Sequence, residues 1–349
     1  GNAAPPQPLI RSVGAMLAEL GLQAEPPADP PGRAAGCGAE PAPRWGLLVQ
    51  YFRQPGNIGR VAAGIASALR GSGGGAEVVV VDDSKSEVDD WADALLQLSR
   101  DLPGLLLRGA FLILSNDIHE IRAYNAASRL SGARWLALLQ DDDDPGARPD
   151  WLSAAEALAE AHPAIALLGG HRGRIDVARG GGAAPMDTKR QQADGLKFGE
   201  GHTSIPTFDP KTGEPFMFAY KVNAAPLIVR RRTLLETGGL HVGLSCPGEP
   251  GIGYDFELSV RMWDEGHKVG LFRAGFERLA HSKGPQLLRS GTRASKAKHK
   301  LRITNYHHNN AVLYTMYPGF HHEQGSILAL QSTRALPRLK YAEPDILGR

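Results

Sequence analysis

From residue 45 onward, apolar positions gather into short runs that alternate with segments of helical spacing. Gly46-Leu47-Leu48-Val49-Gln50-Tyr51 has the pattern of a buried strand and runs into the turn residues Arg53-Gln54-Pro55-Gly56. Residues 58–69 carry apolar side chains at helical spacing, and the glycines of 71–75 end that helix. A β-branched run over 76–81 then stops abruptly at Asp82-Asp83-Ser84. The same alternation predicts a helix over 88–99, a strand over 110–114, a helix over 118–131 and a strand over 135–139. That last strand ends in Gln140-Asp141-Asp142-Asp143-Asp144-Pro145, and residues 151–162 form the next helix.

Strands that alternate with helices imply a mainly parallel sheet covered on both faces, because parallel neighbours need long crossovers. Ligands of such sheets bind at the carboxyl ends of the strands, where Asp82, Asp83 and the aspartates after Leu139 all fall. Residues 169–215 are Gly-rich and polar without clear periodicity, a length that points to a functional loop rather than a connection. Regularity returns at 225–229, at 231–237 before Gly238-Gly239, and at 254–265, a helix entered through Gly-Glu-Pro-Gly-Ile-Gly and closed by Gly266. The chain is basic from His281 to Lys300, and 305–316 predicts a C-terminal helix.

The chain has 349 residues, 42% hydrophobic and 22% charged, enough for one substantial core with a small appendage. A net charge of +2 gives no electrostatic footprint for nucleic acid or a membrane surface. Two cysteines, Cys37 and Cys246, exclude a disulfide scaffold and a four-thiolate zinc site, and leave open whether they pair. No apolar stretch approaches the roughly 18 to 20 residues that span a bilayer, so no direct membrane insertion is expected. Residues 1–44, rich in Pro, Ala and Gly and beginning at Gly1, read as a flexible stem or leader of a trimmed chain.

Four consecutive aspartates at the end of an apolar strand repel one another unless a cation sits among them. Hard carboxylate oxygens suit Mn²⁺ or Mg²⁺, which also accept phosphate oxygens of a substrate. A solvated acidic loop or a helix cap is the competing reading. Asp255, at the start of the helix over 254–265, is a candidate general base, with an N-cap role as the alternative. The pairs His307-His308 and His321-His322 lack the His-Glu-x-x-His spacing of a zinc site.

In order and spacing, Gln50-Tyr51-Phe52-Arg53, Val81-Asp82-Asp83-Ser84, Arg122-Ala123-Tyr124-Asn125 and Gln140 to Asp144 resemble the opening blocks of the family 2 glycosyltransferases. A further block, Gly253-Tyr254-Asp255-Phe256-Glu257-Leu258-Ser259-Val260-Arg261, resembles that family's acidic helix, and together the blocks span most of 45–285. The resemblance implies a GT-A fold with a Rossmann-like, mostly parallel sheet, and inverting transfer from a nucleotide-diphosphate sugar, UDP-linked above others. The acceptor would be a hydroxyl of a glycan, glycoprotein or small molecule. Carried over by position, Asp82 would hold the imide of uracil, Gln50 and Phe52 would line its pocket, and Arg122 and Asp141 would lie near the nucleotide. Asp142 would ligate Mn²⁺ or Mg²⁺ with Asp144 and His281, the register leaving Asp143 as a further candidate.

In the same way Asp255 would be the general base. The family writes Glu-Asp where this chain has Tyr254-Asp255, which leaves Glu257 as a substitute. The basic stretch 283–300, with Arg289 and Arg293, would close over the diphosphate, with a plain solvated basic loop as the alternative. The implied division is 45–150 for the nucleotide-sugar half, 151–285 for the acceptor half and 286–349 for the lid and C-terminal helix. A stem of this kind favours the Golgi lumen, with a cytoplasmic enzyme as the alternative. Two other functions compete. A nucleotidyltransferase needs a Gly-rich phosphate loop after the first strand, where Gln54-Pro55-Gly56-Asn57-Ile58-Gly59 is a poor version and Gly291-Thr292-Arg293 comes too late. An inactive nucleotide-sugar binder is disfavoured because candidate ligands and base are all present.

Overall fold

Strand β1 (Trp45–Tyr51) is buried along its whole length, and its side chains alternate between two cores. Leu47, Val49 and Tyr51 join one apolar cluster and Leu48 joins the other. In β2 (Ala76–Asp82), Val78 and Val80 face the first cluster and Val79 and Val81 the second. In β4 (Trp135–Gln140), Ala137 and Leu139 face the first, and Leu136 and Leu138 the second. A strand apolar on both faces is stable only when both are covered, and each such buried Val or Leu contributes about 1.5–3 kcal/mol over an exposed one.

Helices cover both. On the first face lie α1 (Pro55–Ser72), α2 (Val88–Asp101) and α4 (Trp151–Ala161), through residues such as Ile65, Trp91 and Trp151. On the second lie α3 (His119–Leu130) and α6 (Tyr254–Asp264), through Ile121, Tyr124, Leu258 and Met262. Helices α7 (Lys296–Met316) and α8 (His322–Arg334) add Leu313, Met316 and Ala329 to the same cluster, and form the C-terminal helical extension. Between α4 and α6 in the chain, α5 (Arg231–Glu236) is a short helix.

The computed structural model describes residues 42–72, 74–102, 104, 106–175, 196–199, 205–224, 226–276, 296–317 and 322–339. The remaining strands are β3 (Leu107–Leu114), β5 (Ile165–Gly169), β6 (Arg172–Ile175), β7 (Leu196–Gly199), β8 (Phe216–Phe218), β9 (Lys221–Val222), β10 (Leu227–Arg230) and β11 (Lys268–Phe272). The main sheet has eight strands in the order β3-β2-β1-β4-β10-β5-β11-β8. Strands β10 and β8 run against the other six, so the sheet is mostly parallel, as the alternation predicts. Strands β7, β6 and β9 make a second, antiparallel sheet.

The stretch 169–215, expected to lack regular structure, contains β6 and β7 and the isolated bridge of Phe208 with Pro215. Pairing with chain distant in sequence fixes these short pieces, and a pattern of four residues has too few positions to show a period. The C-terminal helix begins at Lys296, nine residues before the expected 305. Among the described residues no helix is long and apolar enough to cross a membrane. Cys246 is exposed; Cys37, the leader 1–41, Arg289, Arg293, His321 and His281 lie outside the described residues.

Candidate functional site

Among the described residues, four non-glycine residues have positive φ: Arg53 (51°), Lys85 (56°), Asp117 (59°) and His119 (57°). All lie just beyond the carboxyl ends of β1, β2 and β3. Such backbone costs of order 1 kcal/mol or more per residue and persists where surrounding contacts over-determine it, which singles out this edge of the sheet.

At the end of β2 two adjacent aspartates do different work. Asp82 Oδ1 accepts from the Ser84 amide (3.0 Å), the Ser84 hydroxyl (2.8 Å) and the Lys85 amide (3.0 Å), which closes the turn. Its other oxygen, Oδ2, is buried and has no hydrogen-bond partner. Asp83 is wholly buried and accepts from the Ser115 hydroxyl and the amides of Ile118 and His119, each at 2.7 Å. Asp83 thus staples the end of β2 to the loop that enters α3. On the neighbouring strand, Gln50 is 4% exposed and its Nε2 is a buried donor without an acceptor. Gln50 stands in register with Val81 of β2 and Gln140 of β4.

The acidic run after β4 is folded against helix α1. Arg60 of that helix donates to the Asp141 carbonyl (3.0 Å) and to the Asp143 carbonyl. Gly64 and Gly146 let the two backbones touch, since a Cβ at Gly64 would sit 2.8 Å from the Gly146 nitrogen. The Asp141 carboxylate accepts from the Phe52 amide at 3.3 Å. The Asp143 carboxylate turns back to accept from the Gln140 amide at 2.8 Å, so this wholly buried side chain shapes the turn. Asp142 is buried at 2% exposure, and Asp144 is half-buried with one oxygen 3.3 Å from the Gly146 amide. Asp142 and Asp144 are an Asp-x-Asp pair on a turn pinned by a guanidinium and carry hard oxygen donors of the kind a divalent cation such as Mn²⁺ or Mg²⁺ takes.

Phe52 is the centre of a cluster that the sequence reading missed. Its ring centroid lies 5.5 Å from the His119 ring and 4.8 Å from the Lys298 ammonium of α7. Asp83, Asp117 and His119 offer ligand atoms within 4.8 Å of one another and form a group that could hold a metal ion. The available signal was Asp117-x-His119 between the third strand and its helix, a polar break at a strand end like the two already singled out.

Arg122 reaches in a different direction from these residues. Its guanidinium donates to the Ser245 hydroxyl (3.1 Å), the Ser245 carbonyl (2.8 Å) and the Val242 carbonyl (3.4 Å).

Asp255 lies half-buried in the first turn of α6, behind Gly253 at φ 84°. Its Oδ2 accepts from the Ala224 amide at 2.9 Å and its Oδ1 from the Phe256 amide at 3.0 Å. Glu257 is fully buried and ion-paired with Arg261 at 3.0 Å, and it also accepts from the Tyr317 hydroxyl, which commits it to the core. Tyr254 and Tyr124 connect this helix to the acidic turn. Burial pushes both phenols well above their ordinary pKa. Next in effect are Asp255 for Tyr254 and Tyr254 for Tyr124, and the Asp143 charge raises both.

Among solved structures, the chain is similar to the mannosyltransferase PcManGT from Pyrobaculum calidifontis in complex with GDP-Man and Mn²⁺, at 16% identity and a TM-score of 0.42. That match covers 86% of this chain and 77% of that one. It is also similar to S. aureus TarS, at 13% identity and a TM-score of 0.42, over 66% of this chain. For GalNAc-T7 with UDP, GalNAc and Mn²⁺ the identity is 14%, the TM-score 0.44, and the cover 68% of this chain and 44% of that one. The chain spans 35% of that TarS chain and 57% of the TarS 1–349 chain in complex with UDP. Similarity at this level is a distant likeness of fold outline. No family model and no curated protein matches the chain.

Proposed function

We propose that the chain is a metal-dependent glycosyltransferase of the GT-A, family 2 kind that moves a sugar from a nucleotide-diphosphate sugar, UDP-linked above others, to an acceptor hydroxyl with inversion. The observation that carries the reading is the pair of unsatisfied buried atoms at adjoining strand ends, Asp82 Oδ2 and Gln50 Nε2. A buried polar group left without a partner costs about 1–3 kcal/mol, more for a charged one, so the fold holds an acceptor and a donor ready for a ligand. At Asp82 an imide offers the matching N–H, as uracil does and cytosine does not. Phe52 supplies an apolar wall beside them.

Asp142 and Asp144, with His281, would hold Mn²⁺ or Mg²⁺, which when bound neutralises the charge that develops on the departing nucleoside diphosphate. Asp255 takes the proton of the acceptor hydroxyl as that oxygen attacks the anomeric carbon in one displacement. Its two amide donors orient the carboxylate, and Tyr254 beside it excludes water.

Calorimetry with UDP, GDP, CDP and dTDP, each with and without Mn²⁺, tests the reading. UDP should bind only with metal, and Asp82→Asn should weaken it about tenfold or more, by replacing an acceptor with a donor at the imide. Absence of binding by every nucleotide would end the proposal.

A further inference from the structure

The strongest unassigned cluster lies beside the acidic turn and is made by the β3–α3 loop and the first turn of α7. His119 Nε2 and Asp117 Oδ1 are 2.9 Å apart, and the Lys298 ammonium contacts both, donating to Asp117 and lying 2.8 Å from His119 Nε2. Nδ1, the other ring nitrogen, is buried, without a hydrogen-bond partner, and 3.8 Å from Glu120. Nε2 is thus the ring atom that faces both the Asp117 carboxylate and the space the ammonium fills. The Phe52 ring lies 4.8 Å from Lys298 Nζ, adding an aromatic face to the cage. Asp83 stands behind, holding the amides of Ile118 and His119 and so fixing the loop.

Two neighbouring ligands of an octahedral ion with bonds near 2.1 Å stand about 3 Å apart, which is the spacing found here. We propose that Asp117 and His119 form a second cation site, separate from the acidic turn, in which the Lys298 ammonium and a transition-metal ion compete for one position. One imidazole nitrogen and one carboxylate oxygen favour ions of borderline softness such as Co²⁺ or Zn²⁺, and the harder Mn²⁺ less strongly, over Mg²⁺. Because Lys298 is the third residue of α7, occupation by metal releases the start of that helix from the strand ends. Metal at this site thus loosens the start of the helix whose Lys298 ammonium lies over the Phe52 ring.

The geometry demands an uncommon sign: removing a positive side chain by Lys298→Met must tighten metal binding without adding a ligand. The test uses the full chain carrying Asp142→Asn and Asp144→Asn, so that the acidic turn does not bind, with no nucleotide present. Co²⁺ is titrated by its visible absorption and Mn²⁺ by electron paramagnetic resonance. Lys298→Met should raise affinity for both by about tenfold or more, since a charge in contact with the site is removed. His119→Gln added to it should abolish the gain. If the buried His119 variant does not fold, Asp117→Asn, at a 40% exposed side chain, gives the same reading. Unchanged or weaker metal binding by Lys298→Met would overturn the proposal. Nucleotide binding plays no part in these titrations, so they fail or succeed independently of the transferase reading.

Discussion

Tyr124 and Tyr254 face each other across the second core with ring centroids 6.1 Å apart and planes tilted by 54°. Through this pair the last residues of β4 are tied to the helix that bears Asp255. The Tyr124 hydroxyl donates to the Leu139 carbonyl at 2.7 Å, whereas the Tyr254 hydroxyl is buried with no partner.

The two phenols therefore respond to the same change with different signs. Tyr124→Phe removes a made hydrogen bond and leaves a buried carbonyl, for a loss of about 1 kcal/mol. Tyr254→Phe removes an unsatisfied hydroxyl and is neutral or slightly stabilising. Urea unfolding of the two variants checks this, and equal losses would show that the Tyr254 hydroxyl is satisfied in solution.

Asp255 and Glu257 are two residues apart on α6 and separate function from stability. Glu257→Ala strands Arg261 and the Tyr317 hydroxyl in the core, and breaking a buried pair in this way costs about 3–5 kcal/mol. Asp255→Asn keeps a carbonyl oxygen for the Ala224 amide and leaves the fold intact. Under the proposed function it abolishes sugar transfer while UDP and metal still bind. Turnover surviving Asp255→Asn would remove it as the base.

The central strands were legible because β1, β2 and β4 are apolar on both faces and end in polar residues, a contrast visible without any partner. The edge strand β3 was read from 110 and begins at Leu107, since Arg108-Gly109 interrupts the apolar run where one side of the strand lacks a neighbour among the described residues. Strands β6, β8 and β9 are two to four residues long and owe their form to partners such as Phe272 for Phe216 and Lys221 for Arg174. The site divides in the same way. Asp82, Asp141 and Asp142 announced themselves as charges closing apolar runs. Lys298 meets Asp117 across 181 positions of sequence, and no local pattern encodes that contact. The role of Asp143 in the turn likewise depends on where its carboxylate points.

Asp209 gives the fold a defined acid limb. Burial raises its pKa, but the Thr212 amide and hydroxyl and the His162 ring 2.8 Å away outweigh that, and the net result lies below the ordinary 3.8. A carboxylate depressed in the folded state binds its proton more readily when unfolded. Its contribution is thus complete above the unfolded value and is lost as pH falls through the lower folded one. Asp150 shifts the same way through its hydrogen bond to Arg148, but its side chain is 61% exposed, so solvent screening leaves it a small share. Asp209→Asn should therefore flatten the fall in unfolding free energy below about pH 4 by up to one proton's slope. Chemical denaturation between pH 2.5 and 6 measures it, and an unchanged slope would place the acid limb elsewhere.

Arg60 places its guanidinium on the carbonyls of Asp141 and Asp143, at the turn where four carboxylates follow one another. Its charge offsets their repulsion, and its two hydrogen bonds set the direction in which Asp142 and Asp144 leave the turn. Arg60→Met keeps much of the apolar stem and removes both effects. Residues that orient metal ligands without touching the metal are worth roughly 10–100-fold in affinity, so under the proposed function metal-dependent UDP binding should weaken by about that factor. Arg60→Lys restores the charge but not the two-pronged geometry, and recovers only part of it. Calorimetry of UDP with Mn²⁺ on the three proteins, beside their melting curves, decides the matter. Full affinity in Arg60→Met would show that the turn holds its shape without the guanidinium. Full recovery by lysine would show that charge alone, and not the fork of hydrogen bonds, prepares the site.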